Sequence, residues 1–92
     1  MKWTVTFNRA AAKQAGKLPG TILTLLKALV IEIGSNGPVR GNWKNYSVLS
    51  NGDHHCHLKK GKPTYVVVWR VTEKSIKLVE IRYVGTHEKA PY

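Results

Sequence analysis

The sequence predicts an α+β domain in which an N-terminal strand and two helices pack on one face of a mainly antiparallel sheet, in the order β-α-α-β-β-β-β. Three observations carry this expectation. Trp3-Thr4-Val5-Thr6-Phe7 alternates apolar with polar side chains, the period of a strand with one buried face. Ile22, Leu25, Leu26, Leu29 and Ile33 recur at helical spacing. Asn51-Gly52, the two-residue signal of a type I′ hairpin in which both positions take positive φ, opens a C-terminal half rich in β-branched residues. At 92 residues the chain is expected to be a single domain, 1–92, near the size at which one core suffices without disulfides or metal.

The elements follow in order. After the first strand Asn8 is placed to cap a helix, because its short carbonyl side chain accepts from the free N–H groups of the first turn. The stretch from Arg9 to Lys17 is built of Ala, Lys and Gln, good helix formers, and Gly16 with Leu18-Pro19 ends it. The second helix starts at Gly20 or Thr21, carries the apolar stripe with Lys27 between, and stops in Gly34-Ser35-Asn36-Gly37-Pro38; it is the main core donor. Tyr46-Ser47-Val48-Leu49 forms one arm of the hairpin and the histidine-rich stretch after Gly52 the other. Lys60-Gly61-Lys62-Pro63 turns into a central strand from Thr64 to Val71, Thr72-Glu73-Lys74 turns again, and Ser75 to Val84 completes the meander. Trp3, Trp69, Tyr65 and Tyr83 lie within strands and are expected to supply core area.

Charge narrows the partners. Fifteen Lys and Arg against five Asp and Glu give a formal charge of +10, spread along the chain. That exceeds the ~2 to 8 usual for a small soluble domain and favours a polyanion, nucleic acid above all. The single Cys56 makes no intramolecular disulfide, Met1-Lys2-Trp3-Thr4 lacks the apolar run of a secretion signal, and no stretch is apolar enough to span a membrane. A reducing cytoplasm with no membrane partner is the expectation.

All four histidines fall in two short segments, His54-His55-Cys56-His57 and the tail Gly85-Thr86-His87-Glu88-Lys89-Ala90-Pro91-Tyr92. On a strand, Asp53, His55, His57 and Lys59 share one face while His54, Cys56 and Leu58 share the other, the core side. Cys56 therefore reads as a small buried hydrophobe rather than a nucleophile. Only His55, His57 and His87 could converge on a metal, short of the four ligands zinc demands; neighbours on a strand point apart and no paired Cys motif is present, so no metal and no cofactor is expected. Imidazole, with an ordinary pKa near about 6.5, can both take and give a proton at neutral pH, and two histidines can divide those roles. Among phosphate-holding cations, one histidine can deprotonate a ribose 2′-OH and the other protonate the departing 5′ oxygen, which cleaves RNA without metal and leaves DNA untouched. Trp43 and the C-terminal Tyr92 are either packing residues or stacking surfaces for a base.

Gly41-Asn42-Trp43-Lys44-Asn45-Tyr46, then Cys56-His57-Leu58, then Tyr65-Val66-Val67-Val68-Trp69-Arg70, then Gly85-Thr86-His87 stand in an order that resembles the RelE/YafQ-like toxins of bacterial toxin–antitoxin pairs. The resemblance spans nearly the whole chain. It implies a RelE-like fold and a ribosome-dependent mRNA endoribonuclease that enters the decoding site, cuts the message and is silenced by a cognate antitoxin protein. It implies His57 and His87 as catalytic residues and Tyr92 as the aromatic set against a base. Arg70, Arg82, Lys59, Lys60, Lys62 and Lys89 are the cations available to hold mRNA or ribosomal RNA phosphates. The chain departs from the YafQ pattern in the hairpin over Val48 to Gly52, in His55 where an acid is usual, and in Lys60-Gly61-Lys62-Pro63 in place of a shorter acidic turn; His55 is thus a third catalytic candidate. Two other classes fit the fold: a ParE-like toxin that inhibits DNA gyrase by protein contacts, and a basic RNA-binding module without chemistry.

Overall fold

The computed structural model describes residues 2–92, so Met1 of the opening stretch lies outside the described residues. The elements are β1 (Thr4–Phe7), α1 (Arg9–Ala15), α2 (Gly20–Asn36), β2 (Lys44–Val48), β3 (His54–Lys59), β4 (Tyr65–Glu73) and β5 (Leu78–Thr86), followed by a 3-10 turn, His87–Lys89. This is the predicted order. The five strands make one sheet in the spatial order β1-β5-β4-β3-β2. β2 to β5 form an antiparallel meander, and β1 alone runs parallel to its neighbour, Thr4 beside Leu78 and Phe7 beside Ile81.

Local chemistry explains the ends. Asn8 caps α1 as expected, its Oδ1 accepting from the Ala11 N–H at 2.8 Å. α2 does not stop at Gly34 but runs through it to Asn36. Gly34 lies against the carbonyl of Trp3 and accepts the Trp3 N–H at 2.7 Å, so the first strand is pinned to the last helical turn. Gly37, at φ +96°, ends the helix; a Cβ there would sit 3.1 Å from the Trp3 indole nitrogen.

The hairpin forms where Asn51-Gly52 predicts it, with a different turn. Only Gly52 has positive φ, and the Leu49 N–H reaches the Asp53 carbonyl at 2.7 Å across a three-residue loop. That is the longer hairpin in which one left-handed residue closes the turn, not type I′. The next turn also differs from expectation: β4 continues through Thr72 and Glu73, and the chain reverses over residues 74–77, where Lys77 takes φ +53°. β5 therefore runs from Leu78 to Thr86 rather than from Ser75 to Val84. Register shifts at Val68/Trp69 and Val71/Glu73 absorb the offset.

Both helices cover one face of the sheet. Ala11, Ile22, Leu26, Leu29 and Ile33 pack against Cys56, Leu58, Val67, Trp69, Val79 and Ile81 in one continuous core. Fully burying each large aliphatic side chain is worth about 1.5–3 kcal/mol, so this layer holds the fold together. Trp69 is fully buried and its Nε1 donates to the Pro38 carbonyl at 2.9 Å. Trp43 packs partly buried against the core: its Nε1 donates at 2.9 Å to Glu32 Oε1, which also accepts from Asn42 and Arg40. On the other face lies a small second cluster, Val66, Val68 and Tyr83 with Leu49 and Ala90. The rest of that face is open, and the C-terminal tail returns across it.

Candidate active site: a histidine ring on the open face of the sheet

Strand alternation places His55 and His57 of β3 on the face opposite the helices. The Thr64 carbonyl, just before β4, accepts the His87 N–H at 2.8 Å and so holds the start of the tail beside the same face. Four rings then close a circle: His55 to His57 at 5.9 Å between centroids, His57 to His87 at 5.6 Å, His87 to Tyr92 at 5.8 Å and Tyr92 back to His55 at 4.9 Å. All four contacts are edge-to-face. Residues from a strand and from the chain end, far apart in sequence, are brought together as the two histidine segments suggest.

The members differ in environment. His55 is buried, and its Nδ1 lies 3.0 Å from Ser47 Oγ and 3.3 Å from the Ser47 carbonyl. The longer contact, to a carbonyl that only accepts, forms with the proton on Nδ1; the shorter one, to a hydroxyl, forms with either tautomer. His57 is half-buried with an Nδ1 that is enclosed and has no hydrogen-bond partner. Burial, then the neighbouring His55 and His87 and the Lys60 ammonium, push its pKa below the ordinary imidazole value. It is held neutral at pH 7. His87 is exposed, and Tyr92 is 46% exposed with its ring against His55.

The other half of the histidine strand serves packing. His54 stacks on Trp69 at 5.8 Å, and its Nδ1 is 2.7 Å from the Tyr46 hydroxyl. Cys56 is fully buried and its thiol is pushed up to about 12 by that burial, which leaves it inert, as its place on the core side predicts.

A cleft of about 550 Å³ opens beside the ring, lined by His57, His87, Gly61, Lys62, Pro63, Thr64, Thr86 and Glu88. Lys62 thus joins the site directly and Lys60 acts on His57 through charge. Lys59 and Lys62 line an adjoining groove with Thr21 and Tyr65. Lys89 opens instead onto a separate groove with Lys17, Gln14 and Tyr83. Arg70 and Arg82 line a slot of about 230 Å³ with Asp53, and each is held by a carboxylate: Arg70 Nε donates to Asp53 Oδ1, and Arg82 Nη1 donates to Glu80 Oε1 at 2.7 Å. Sequence reasoning missed these two acids as arginine partners, and Ser47 as the partner of His55. The hairpin register, Ser47 opposite His55, is the signal that reveals the latter. No group of three or more His, Cys, Asp or Glu side chains among the described residues is placed to hold a metal ion.

An N-terminal strand, two helices and then further strands, folded as a helical layer on a five-stranded mixed sheet, match the fold of the RelE-like toxins. The structure of a mutant of the E. coli toxin RelE in the free state superposes with a TM-score of 0.67 at 22% identity, over 98% of this chain and 88% of that one. A metal-bound toxin from Helicobacter pylori gives 0.69 at 18% identity over 97% and 98% of the two chains. The RelBE2 toxin–antitoxin complex from Mycobacterium tuberculosis gives 0.59 at 24% identity over 95% and 100%. No protein-family model and no curated protein matches the sequence itself. The likeness at these identities is one of fold.

Proposed function

We propose that this chain is the toxin of a bacterial toxin–antitoxin pair, a ribosome-dependent mRNA endoribonuclease that acts in the cytoplasm, inhibits translation and is neutralised by a cognate antitoxin. The observation that carries this is the closed ring of His55, His57, His87 and Tyr92 beside a cleft with lysines on its wall and flank. Neither a gyrase-binding surface nor a passive RNA platform has a use for imidazoles so arranged.

In the reaction, Lys60 and Lys62 hold the scissile phosphate and Tyr92 supports a flanking base. His57, kept neutral, takes the 2′-OH proton as O2′ attacks phosphorus. The P–O5′ bond breaks, and His87, open to solvent, gives its proton to the leaving O5′. The products are a 2′,3′-cyclic phosphate and a 5′-hydroxyl, and the two proton transfers balance without a cofactor. His55, held by Ser47, lies edge-to-face against His57 and Tyr92 and orients them.

The antitoxin partner is supported by the RelBE2 complex among the similar structures. It is also supported by an apolar groove of about 370 Å³ formed by Phe7, Leu23, Val30 and Ile31, the last 68% exposed, a surface of the kind protein partners cover.

The test is cleavage of a ribosome-bound message by purified protein. His57→Ala is expected to lose about 10²–10⁴-fold in rate, the usual worth of a general base, with its fold intact. Cutting should survive a chelator that spares ribosomal magnesium. Unchanged cutting by the folded variant overturns the site; loss in chelator restored by zinc overturns the metal-free mechanism.

A further inference from the structure

The slot beside the histidine ring has a composition that phosphate binding does not explain. Arg70 and Arg82 line it, and each already faces a carboxylate, Asp53 and Glu80, so the two pairs leave no net formal charge. A phosphate gains little there and approaches two like charges. Leu49, Val68 and Pro91 give one part of the slot an apolar wall, facing Asn51 and the charged pairs.

Arg70 is the ordered member. Its Nε is taken by Asp53, whose side chain is 7% exposed and which is itself gripped by Asn51: Asn51 Nδ2 donates to Asp53 Oδ2 at 3.3 Å, and the Asp53 N–H donates to Asn51 Oδ1 at 2.9 Å. Fixing Nε fixes the guanidinium plane. The two terminal amino groups of Arg70 make no hydrogen bond to any described residue, and its side chain is 40% exposed. A planar fork of two free donors, its plane fixed at a slot with one apolar wall, matches a flat group bearing two adjacent acceptors.

Position ties the slot to the chemistry. Val68 is the register partner of His55, and Asp53 lies two residues from His55 along the chain, about 7 Å in extended backbone. Pro91 lines the slot while Tyr92 completes the ring, so the tail runs from one to the other.

We propose that this slot is a base-reading subsite for a nucleotide flanking the scissile step, in which Arg70 selects guanine through its O6 and N7. Adenine presents a donor where guanine has O6, and uracil sets an N–H between its two carbonyls; cytosine O2 and N3 are the competing acceptor pair, which titration separates from guanine. Asp53 is a positioning residue that holds the fork. The proposal rests on the reading of the chain as an RNA-cleaving toxin, and its test does not depend on cleavage.

The purified protein is titrated with 2′-O-methyl trinucleotides A-X-A, X being G, A, C or U, which lack the nucleophilic hydroxyl; binding is followed by NMR at the backbone amides around the slot, in the variant as in the parent. The G form is expected to bind about tenfold more tightly than the others, the scale of one good bidentate contact. Replacing G by 7-deazaguanine should abolish the preference without touching the protein. Arg70→Lys, which keeps the charge and loses the fork, should abolish it too, with the fold checked by its amide spectrum. Equal binding of all four, or a preference that survives in Arg70→Lys or with 7-deazaguanine, overturns the proposal. Selective binding by a protein that cuts no ribosome-bound message leaves the slot standing and removes the nuclease; cutting without selective binding does the reverse.

Discussion

His57 shows how one residue's surroundings set its chemistry. Burial, His55, His87 and Lys60 all disfavour its charged form, so it stays an available base below the ordinary imidazole pKa. Cleavage should therefore hold as pH falls past about 6.5 and decline only as His57 takes its proton at lower pH. Lys60→Gln removes one of the depressing charges, and its acid limb should move toward higher pH; a pH–rate profile of both proteins checks this, and a limb that stays put removes Lys60 from the account. His54 is likewise depressed, by burial. The sign for stability follows: the folded state binds fewer protons than the unfolded one, so this contribution is complete above about pH 6.5 and is lost as pH falls from there through the depressed values. Melting temperatures at pH 8 and pH 5 should differ in that sense. Strand alternation made the faces legible, His55 and His57 open, His54 and Cys56 inward. It gave no sign of Asp53 as the partner of Arg70, because that pairing depends on the β3–β4 register, in which His54 faces Trp69; Glu80 and Arg82, two apart on β5, share a face by the same alternation and could have been read.

Among the elements, β5 and the tail it launches decide whether the ring closes. The strand ends at Gly85-Thr86, where the Tyr83 hydroxyl donates to the Thr86 carbonyl at 2.7 Å. A Cβ on Gly85 would stand 2.7 Å from that same hydroxyl oxygen and 3.0 Å from its ring carbon, so the glycine is required by a close approach. Gly85→Ala should cost about 1–3 kcal/mol by overpacking, displace the turn that carries His87, and reduce cleavage more than it reduces stability at 25 °C. Denaturant melts and rates on the same preparation check it, and a variant with full activity would show that the tail's position is not set here. The stop of the second helix and the two hairpins were legible only approximately. Gly34 reads as a stop but serves as a contact for Trp3. Thr72-Glu73-Lys74 reads as a turn, yet β-branched Thr72 continues the strand, and the reversal falls on Lys77, whose positive φ no glycine announces.

For the whole molecule, the +10 charge and the single open face are the features that choose a partner. Affinity for ribosomes or single-stranded RNA should fall steeply with salt, because each phosphate contact releases condensed counterions, by a log–log slope of about −0.7 per phosphate on a single strand. A flat response would remove the phosphate contacts of Lys59, Lys60 and Lys62. The fold and the pair of histidine segments were legible in the sequence, since each rests on local period and spacing. The closed ring was not, because Tyr92 meets His55 only through the path of the tail over the sheet. The central claim is that this ring cuts translated messages, and transcriptome-wide mapping of new 5′-hydroxyl ends after a short pulse of the protein, beside His87→Ala, tests it most directly. New ends within translated frames that vanish in the folded variant are the predicted result; growth arrest with no new ends, or ends that persist in His87→Ala, would contradict it.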